Sequence, residues 1–222
     1  MKMTMSTRWL LAALALVTPA SLRAQELAQV CQSLDKLTVG QWGSYSVTSP
    51  RRSSGKVRLA IVGSERRADT TMYWFEITGA GAGSQGGIVQ LLVTGFGAEP
   101  IGVRAMVMKL EGQPAMKMPD QMVAMWSERA EKEAPALEIG RRCRTAQAVG
   151  WETITVPAGA IRALHVKNTD GGEAWLTAEV PFGIVKALPK EGGEMVLTGR
   201  GADAKSSITE RPQELPGMMN RP

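Results

Sequence analysis

Apolar and polar positions alternate with a period of two along much of this chain, and glycine, proline or polar clusters break the alternation at short intervals. Residues 56–62 place Val57, Leu59 and Ile61 on one face, and residues 72–78 do the same with Tyr73, Phe75 and Ile77. Further strand-like runs cover 42–48, 88–94, 103–111, 151–156, 160–167, 173–179 and 195–198. Ser49 to Gly55, Pro157-Ala158-Gly159 and Asp170-Gly171-Gly172 supply turns between them. The period changes to that of a helix twice. Residues 26–37 align Leu27, Val30 and Leu34, and Asp120–Glu133 opens with a capping aspartate after Pro119, carries apolar residues at 122, 123, 125 and 126, and is closed by Pro135. The pattern predicts a mainly β fold: a curved antiparallel sheet or half-barrel with one central helix and a short N-terminal helix. It forms one monomeric domain over 25–209, although nothing in the sequence fixes an oligomeric state. The proline-rich, polar stretch 210–222 reads as a disordered tail.

The first residues follow a different rule. Lys2 and Arg8 precede an apolar run from Trp9 to Val17, which Pro19 ends before small residues follow. A helix of that length rises only roughly 14 Å, against the ~30 Å hydrocarbon core of a bilayer. Residues 1–24 therefore read as a cleavable signal peptide, cut after Ala24 or, alternatively, after Ala20. The expected location is periplasmic or secreted, with no transmembrane segment in the mature chain.

Removing the leader changes the charge. The formal +5 includes Lys2, Arg8 and Arg23, so the mature chain is only about +2, without a lysine or arginine cluster. That balance excludes a nucleic-acid partner. Two cysteines remain, Cys31 and Cys143, and an even count in an oxidising compartment favours a disulfide; the alternative is a pair of buried thiols.

The second half carries distinctive wording: Trp151-Glu-Thr-Ile-Thr-Val-Pro-Ala-Gly159, then Glu173-Ala-Trp175, then Val180-Pro-Phe-Gly-Ile-Val-Lys186. It resembles uncharacterised exported bacterial families in which a VPAG hairpin precedes a tryptophan-bearing strand and a VPFGIVK corner. Val39-Gly-Gln-Trp-Gly-Ser-Tyr45 looks like their opening strand. Those families are in turn similar to the LolA/LppX-like half-barrels of the bacterial envelope. The resemblance implies a curved sheet wrapped around helices and able to hold acyl chains, a fold-level analogy. Read physically, the prolines and glycines of both motifs build corners.

Chemistry is sparse. Gly81-Ala-Gly83-Ser-Gln-Gly86 matches G-x-G-x-x-G, but a strand rather than a helix follows it, so it reads as a hairpin loop and no cofactor is expected. His165, the sole histidine, lies inside a strand with no nucleophile elbow, which argues against an enzyme and against a metal site. The density of methionine is the unusual feature: Met106, Met108, Met116, Met118, Met122 and Met125. Three readings compete: adaptable core filler, a pliable apolar surface for a lipid or other hydrophobic small molecule, and a thioether site for Cu(I). Met106 and Met108 share a strand face, and Met122, Met125 and Trp126 share a helix face. These five are the candidate ligand-binding residues of a non-enzymatic envelope protein. The alternative is a structural or interaction module with a closed core. Trp42, Trp74, Trp151 and Trp175 sit in strands, where indoles fill a barrel.

Overall fold

The computed structural model describes residues 19–34, 36–50, 54–79, 86–96, 102–133 and 139–214. Among the described residues, one large, curved, unclosed sheet of 12 strands carries the fold, with three short helices. The strands run in two meanders. The first comprises β1 (Trp42–Thr48), β2 (Gly55–Arg67), β3 (Thr70–Gly79), β4 (Gly87–Val93), β5 (Val103–Leu110) and the short β6 (Met116–Lys117). The second comprises β7 (Gln147–Val156), β8 (Gly159–Lys167), β9 (Glu173–Leu176), β10 (Ile184–Leu188) and β11 (Glu194–Gly201). β1 and β11 pair antiparallel and join the two meanders. The order is β12-β6-β5-β4-β3-β2-β1-β11-β10-β9-β8-β7, where β12 (Gln213–Glu214) pairs parallel with β6. That last pair lies in the stretch expected to be a tail.

The helices are α1 (Pro19–Ser33), α2 (Asp120–Glu133) and α3 (Ile139–Thr145). α2 occupies the residues its cap and closing proline predict. α1 differs from the expected 26–37: it starts at Pro19, runs through the expected cleavage point after Ala24 and stops at Ser33. Its buried Leu27, Val30 and Cys31, with Leu34 just past its end, follow the i, i+3, i+4, i+7 spacing that lays one helix face on a sheet. α3 has no counterpart in the sequence reading. Its arginines obscure any apolar period, and it is held by its one cysteine.

The face under the helices, called the inner face here, holds the main core. Cross-strand pairing sets its register: Leu59 opposes Ile77, Phe75 opposes Leu91, and Leu91 opposes Met106. Tyr45, Leu197, Leu164 and Leu176 continue the same core into the second meander. The VPFGIVK segment turns a corner and then forms β10, a strand absent from the sequence reading. Phe182 takes a left-handed φ of 62° and Gly183 one of 72°. A side chain on Gly183 would meet Leu34 Cδ2 at 2.0 Å, so glycine there lets α1 close on the corner. Phe182 rests against Phe75 and Phe96, with centroids 5.6 and 6.0 Å away.

The opposite face of the first meander has its own cover. Beyond β11 the chain crosses it towards β6, burying Ala204 and Ile208. Ile208 packs with Val107, Ala115, Trp74 and Ile88. Gly81 to Gln85 lie outside the described residues, but the strands flanking them pair as an antiparallel hairpin, Gly79 opposite Gly87. No helix follows to receive a pyrophosphate. Residues 1–18, which hold most of the expected leader, and 215–222 lie outside the described residues.

Candidate ligand-binding cavity

The five residues singled out by the sequence do not come together at one surface. Met106 is buried at 3% exposure in the main core, and Met108 packs against that core. α2 lies over β5 and points Val123 and Trp126 inward. Met122 and Met125 face away from the sheet, 44% and 66% exposed. Two overlapping stripes run along α2, 122/125/126 and 123/126, and both contain Trp126. Tertiary packing selects the second. The methionine sulfurs therefore divide between a packed interior and the solvent side of a helix. Met106 opposes Leu91 across the sheet, in the same core as Phe75 and Phe96, whose rings meet edge to face at 4.9 Å.

An open apolar cavity lies instead in the second meander, between α3 and the inner face. It has a volume of about 220 Å³ and is walled by Val166 of β8, Ala174 and Leu176 of β9, Ile184 of β10, Met195 of β11 and Leu59 of β2. Cys143 of α3 also lines it. Cys143 is joined to Cys31 of α1, with Cα atoms 5.7 Å apart and a sequence separation of 112. The disulfide thus ties the helix over the cavity to the helix that packs on the sheet.

Polar groups gather at the mouth, where the β8–β9 and β10–β11 turns meet α3. Arg142 Nη1 donates to Asp170 Oδ2 at 3.0 Å, and the Gly172 amide donates to Asp170 Oδ1 at 3.0 Å. Lys190 and Glu191 stand on the β10–β11 turn. The volume falls below the ~300–1,000 Å³ of sites for drug-sized ligands, so a thin or small apolar group fits and a bulky one does not.

On the opposite face of the same strands lies a polar ladder. His165 stacks on Trp175 with centroids 4.5 Å apart and planes 8° from parallel. Its Nε2 lies 2.7 Å from Glu173 Oε2, and Nδ1 lies 3.5 Å from Glu152 Oε1. The Trp175 indole donates to Glu152, and Lys186 covers the ring at 5.5 Å. The His165 hydrogen bond, aided by Lys167, holds the Glu173 carboxyl below its usual range. Each group finds its partner within the ladder, so His165 is a satisfied surface histidine. Elsewhere, burial pushes the Tyr45 phenol well above its ordinary range, and its hydroxyl reaches the Pro181 carbonyl at 3.3 Å.

A buried carboxylate escaped the sequence reading. Glu76, 0% exposed, accepts from Gln90 Nε2 at 2.8 Å, the Ser207 amide at 2.9 Å and the Ser207 hydroxyl at 2.7 Å. It pins the C-terminal crossing segment to β3, a structural role. The only signal in the sequence is a lone acid in an alternating apolar strand. Among the described residues no three His, Cys, Asp or Glu side chains gather in a way that would hold a metal ion. Among them, too, no helix is long and apolar enough to cross a membrane.

No family model matches the chain, and no curated protein sequence matches it. Solved structures with a similar course exist. The chain is similar to MucB in its complex with MucA(peri), with a TM-score of 0.44 and 11% identity over 87% of this chain and 59% of that one. It is also similar to a candidate lipoprotein from Parabacteroides distasonis, with a TM-score of 0.34 and 9% identity over 74% of this chain and 96% of that one. A third is a candidate exported protein with a YmcC-like fold from Bacteroides fragilis, with a TM-score of 0.32 and 9% identity over the same shares. The chain spans about 59% of the length of the MucB chain it matches.

Proposed function

We propose that the protein is an exported, non-enzymatic binding protein of the bacterial cell envelope, and that its inner-face cavity holds a lipid tail or another hydrophobic small molecule. The cavity between α3 and β8–β11 carries this reading. Its walls are aliphatic, and its mouth is polar, the arrangement of an amphiphile site. The leader-like first 24 residues and the Cys31–Cys143 bridge support export. In this reading the site lies in the second meander rather than near the methionines, since Met106 is buried in the core of the first and Met122 and Met125 face away from the sheet.

That packed half supports a second reading, an interaction module of the envelope with a closed core. One experiment separates the two. The full-length chain is produced with its own leader in a bacterial envelope, purified without detergent and measured by native mass spectrometry with lipid extraction. The binding reading predicts a bound hydrophobic molecule that the cavity-filling Ala174→Phe variant lacks. Wild-type protein that emerges bare contradicts it. The start of the mature chain in the same spectrum checks cleavage after Ala24.

A further inference from the structure

The segment 202–214, which crosses the first meander on the face opposite the main core, is fastened at intervals by carboxylates. Asp203 Oδ1 accepts from the Trp42 indole at 2.7 Å. Glu76 of β3 accepts from the Ser207 amide at 2.9 Å and hydroxyl at 2.7 Å. Glu210 lies 2.6 Å from Lys109 Nζ of β5, and Glu214 lies 3.1 Å from Lys117 Nζ of β6. The other fastenings are slight. Ala204 and Ile208 are the buried apolar side chains of the segment, its amides at 204 and 213 donate to the Gly40 and Ala115 carbonyls, and its strand β12 is two residues long. The charges change sign with these acids. The segment carries Asp203, Glu210 and Glu214 against Lys205 and Arg211, a net charge of −1 that becomes +2 when the three acids are protonated. The sheet beneath presents Arg58 beside Asp203, Lys109 at Glu210 and Lys117 at Glu214, while Glu76 is met by the neutral donors Gln90 and Ser207. Attraction between segment and sheet at neutral pH therefore becomes repulsion in acid.

We propose that residues 202–214 form an acid-released strap: protonation of Asp203, Glu76, Glu210 and Glu214 lifts it while the sheet beneath stays folded, uncovering the apolar strip of Trp74, Ile88, Val107 and Ala115 that Ile208 covers. Each carboxylate accepts its bonds as an anion, and a proton on it both cancels the charge and occupies an acceptor oxygen. The Trp42 bond holds the Asp203 carboxyl below the ordinary aspartate range, and the Lys109 bond does the same for Glu210. Their contribution is therefore present at neutral pH and lost as pH falls through their lowered folded-state values. The sheet has no such dependence on acids: β2, β3 and β4 are joined by long main-chain ladders and an apolar core, and a disulfide ties α1 to α3. Acid thus separates the strap from the rest of the fold before the fold itself opens.

Hydrogen exchange of the full mature chain at neutral pH and at about pH 3.5, corrected for the intrinsic exchange rate, tests the proposal. Protection of the 204, 207 and 213 amides, which the strap donates to the sheet, should drop at least about tenfold in acid while the amides of β2–β4 keep theirs. Three of the four acids lie at the surface, so the combined variant Asp203→Asn, Glu210→Gln, Glu214→Gln removes their charge without touching the core. At neutral pH it should already exchange at these three amides about tenfold faster than wild type, with the pH response reduced to what Glu76 supplies. Strap protection that persists in acid overturns the proposal. So does a strap that loses protection only together with β2–β4, or a combined variant that matches wild type at neutral pH.

Discussion

Replacing both Cys31 and Cys143 with alanine removes the bridge that closes a loop of separation 112. In the unfolded chain that bridge forbids most of the conformations an open loop would sample. The loop-closure relation gives about 4.8 kcal/mol of stabilisation at 25 °C for this separation. For a domain of this size each kcal/mol corresponds to roughly 2–4 °C in melting temperature, so the double variant should melt roughly 10–20 °C lower. Both cysteines are buried, at 1% and 3% exposure, so alanine also leaves a small void and pushes the drop towards the upper end. Circular dichroism on heating gives the melting temperature, and urea titration gives the slope of stability against denaturant. Because the loss acts mainly on the unfolded ensemble, that slope should rise as the open chain exposes more surface. A drop under about 5 °C with an unchanged slope would refute the loop-closure reasoning. The variant also loosens α3, and the half-exposed Arg142–Asp170 pair that still links it to the β8–β9 turn is worth at most about 1 kcal/mol. Hydrogen exchange over 139–145 should therefore quicken first.

Gly183→Ala should destabilise by about 2–4 kcal/mol, combining the left-handed φ with a collision against Leu34, and chemical denaturation checks it. Glu76→Ala should cost about 2–4 kcal/mol because Gln90 and Ser207 lose their buried acceptor, while Glu76→Gln costs less; hydrogen exchange at 206–208 should rise in both. Glu173 and Glu210 have folded-state carboxyls below the ordinary glutamate range, lowered first by hydrogen bonds from His165 and Lys109. Asp203 lies below 3.8 through its bond from Trp42. Such groups stabilise above their unfolded values, so stability should stay level through neutral pH and fall as pH drops below about 4.5. Glu173→Gln should remove part of that fall, and melting curves across the acid range would show whether it does.

Much of the sheet could be read from period two, and α2 from its cap and closing proline. The cysteine pairing was legible because export and an even count leave few options. Three things were hidden for physical reasons. α3, with sequence IGRRCRT, shows no apolar stripe, since a covalent tether rather than a buried face fixes it. β10 lies inside a motif whose Pro181 and Gly183 announce a corner and mask the strand that begins with Ile184. The cavity is assembled from β2, α3 and four strands of the second meander, and its aliphatic residues look like any core residues until the sheet brings them together. Methionine density pointed elsewhere because it records local composition. Strand period correctly turned Met106 and Met108 to one face, opposite Leu91 and Val89, but the face of α2 was ambiguous until Val123 was seen to pack inward.

Methyl-resolved NMR of the mature chain during titration with decanoate tests the central claim most directly. The account predicts that the methyl signals of Val166, Leu176, Ile184 and Met195 move together while those of Met106, Met122 and Met125 stay fixed. Shifts centred on Met108, Val123 and the outer face of α2, or no shifts at saturating ligand, would contradict it.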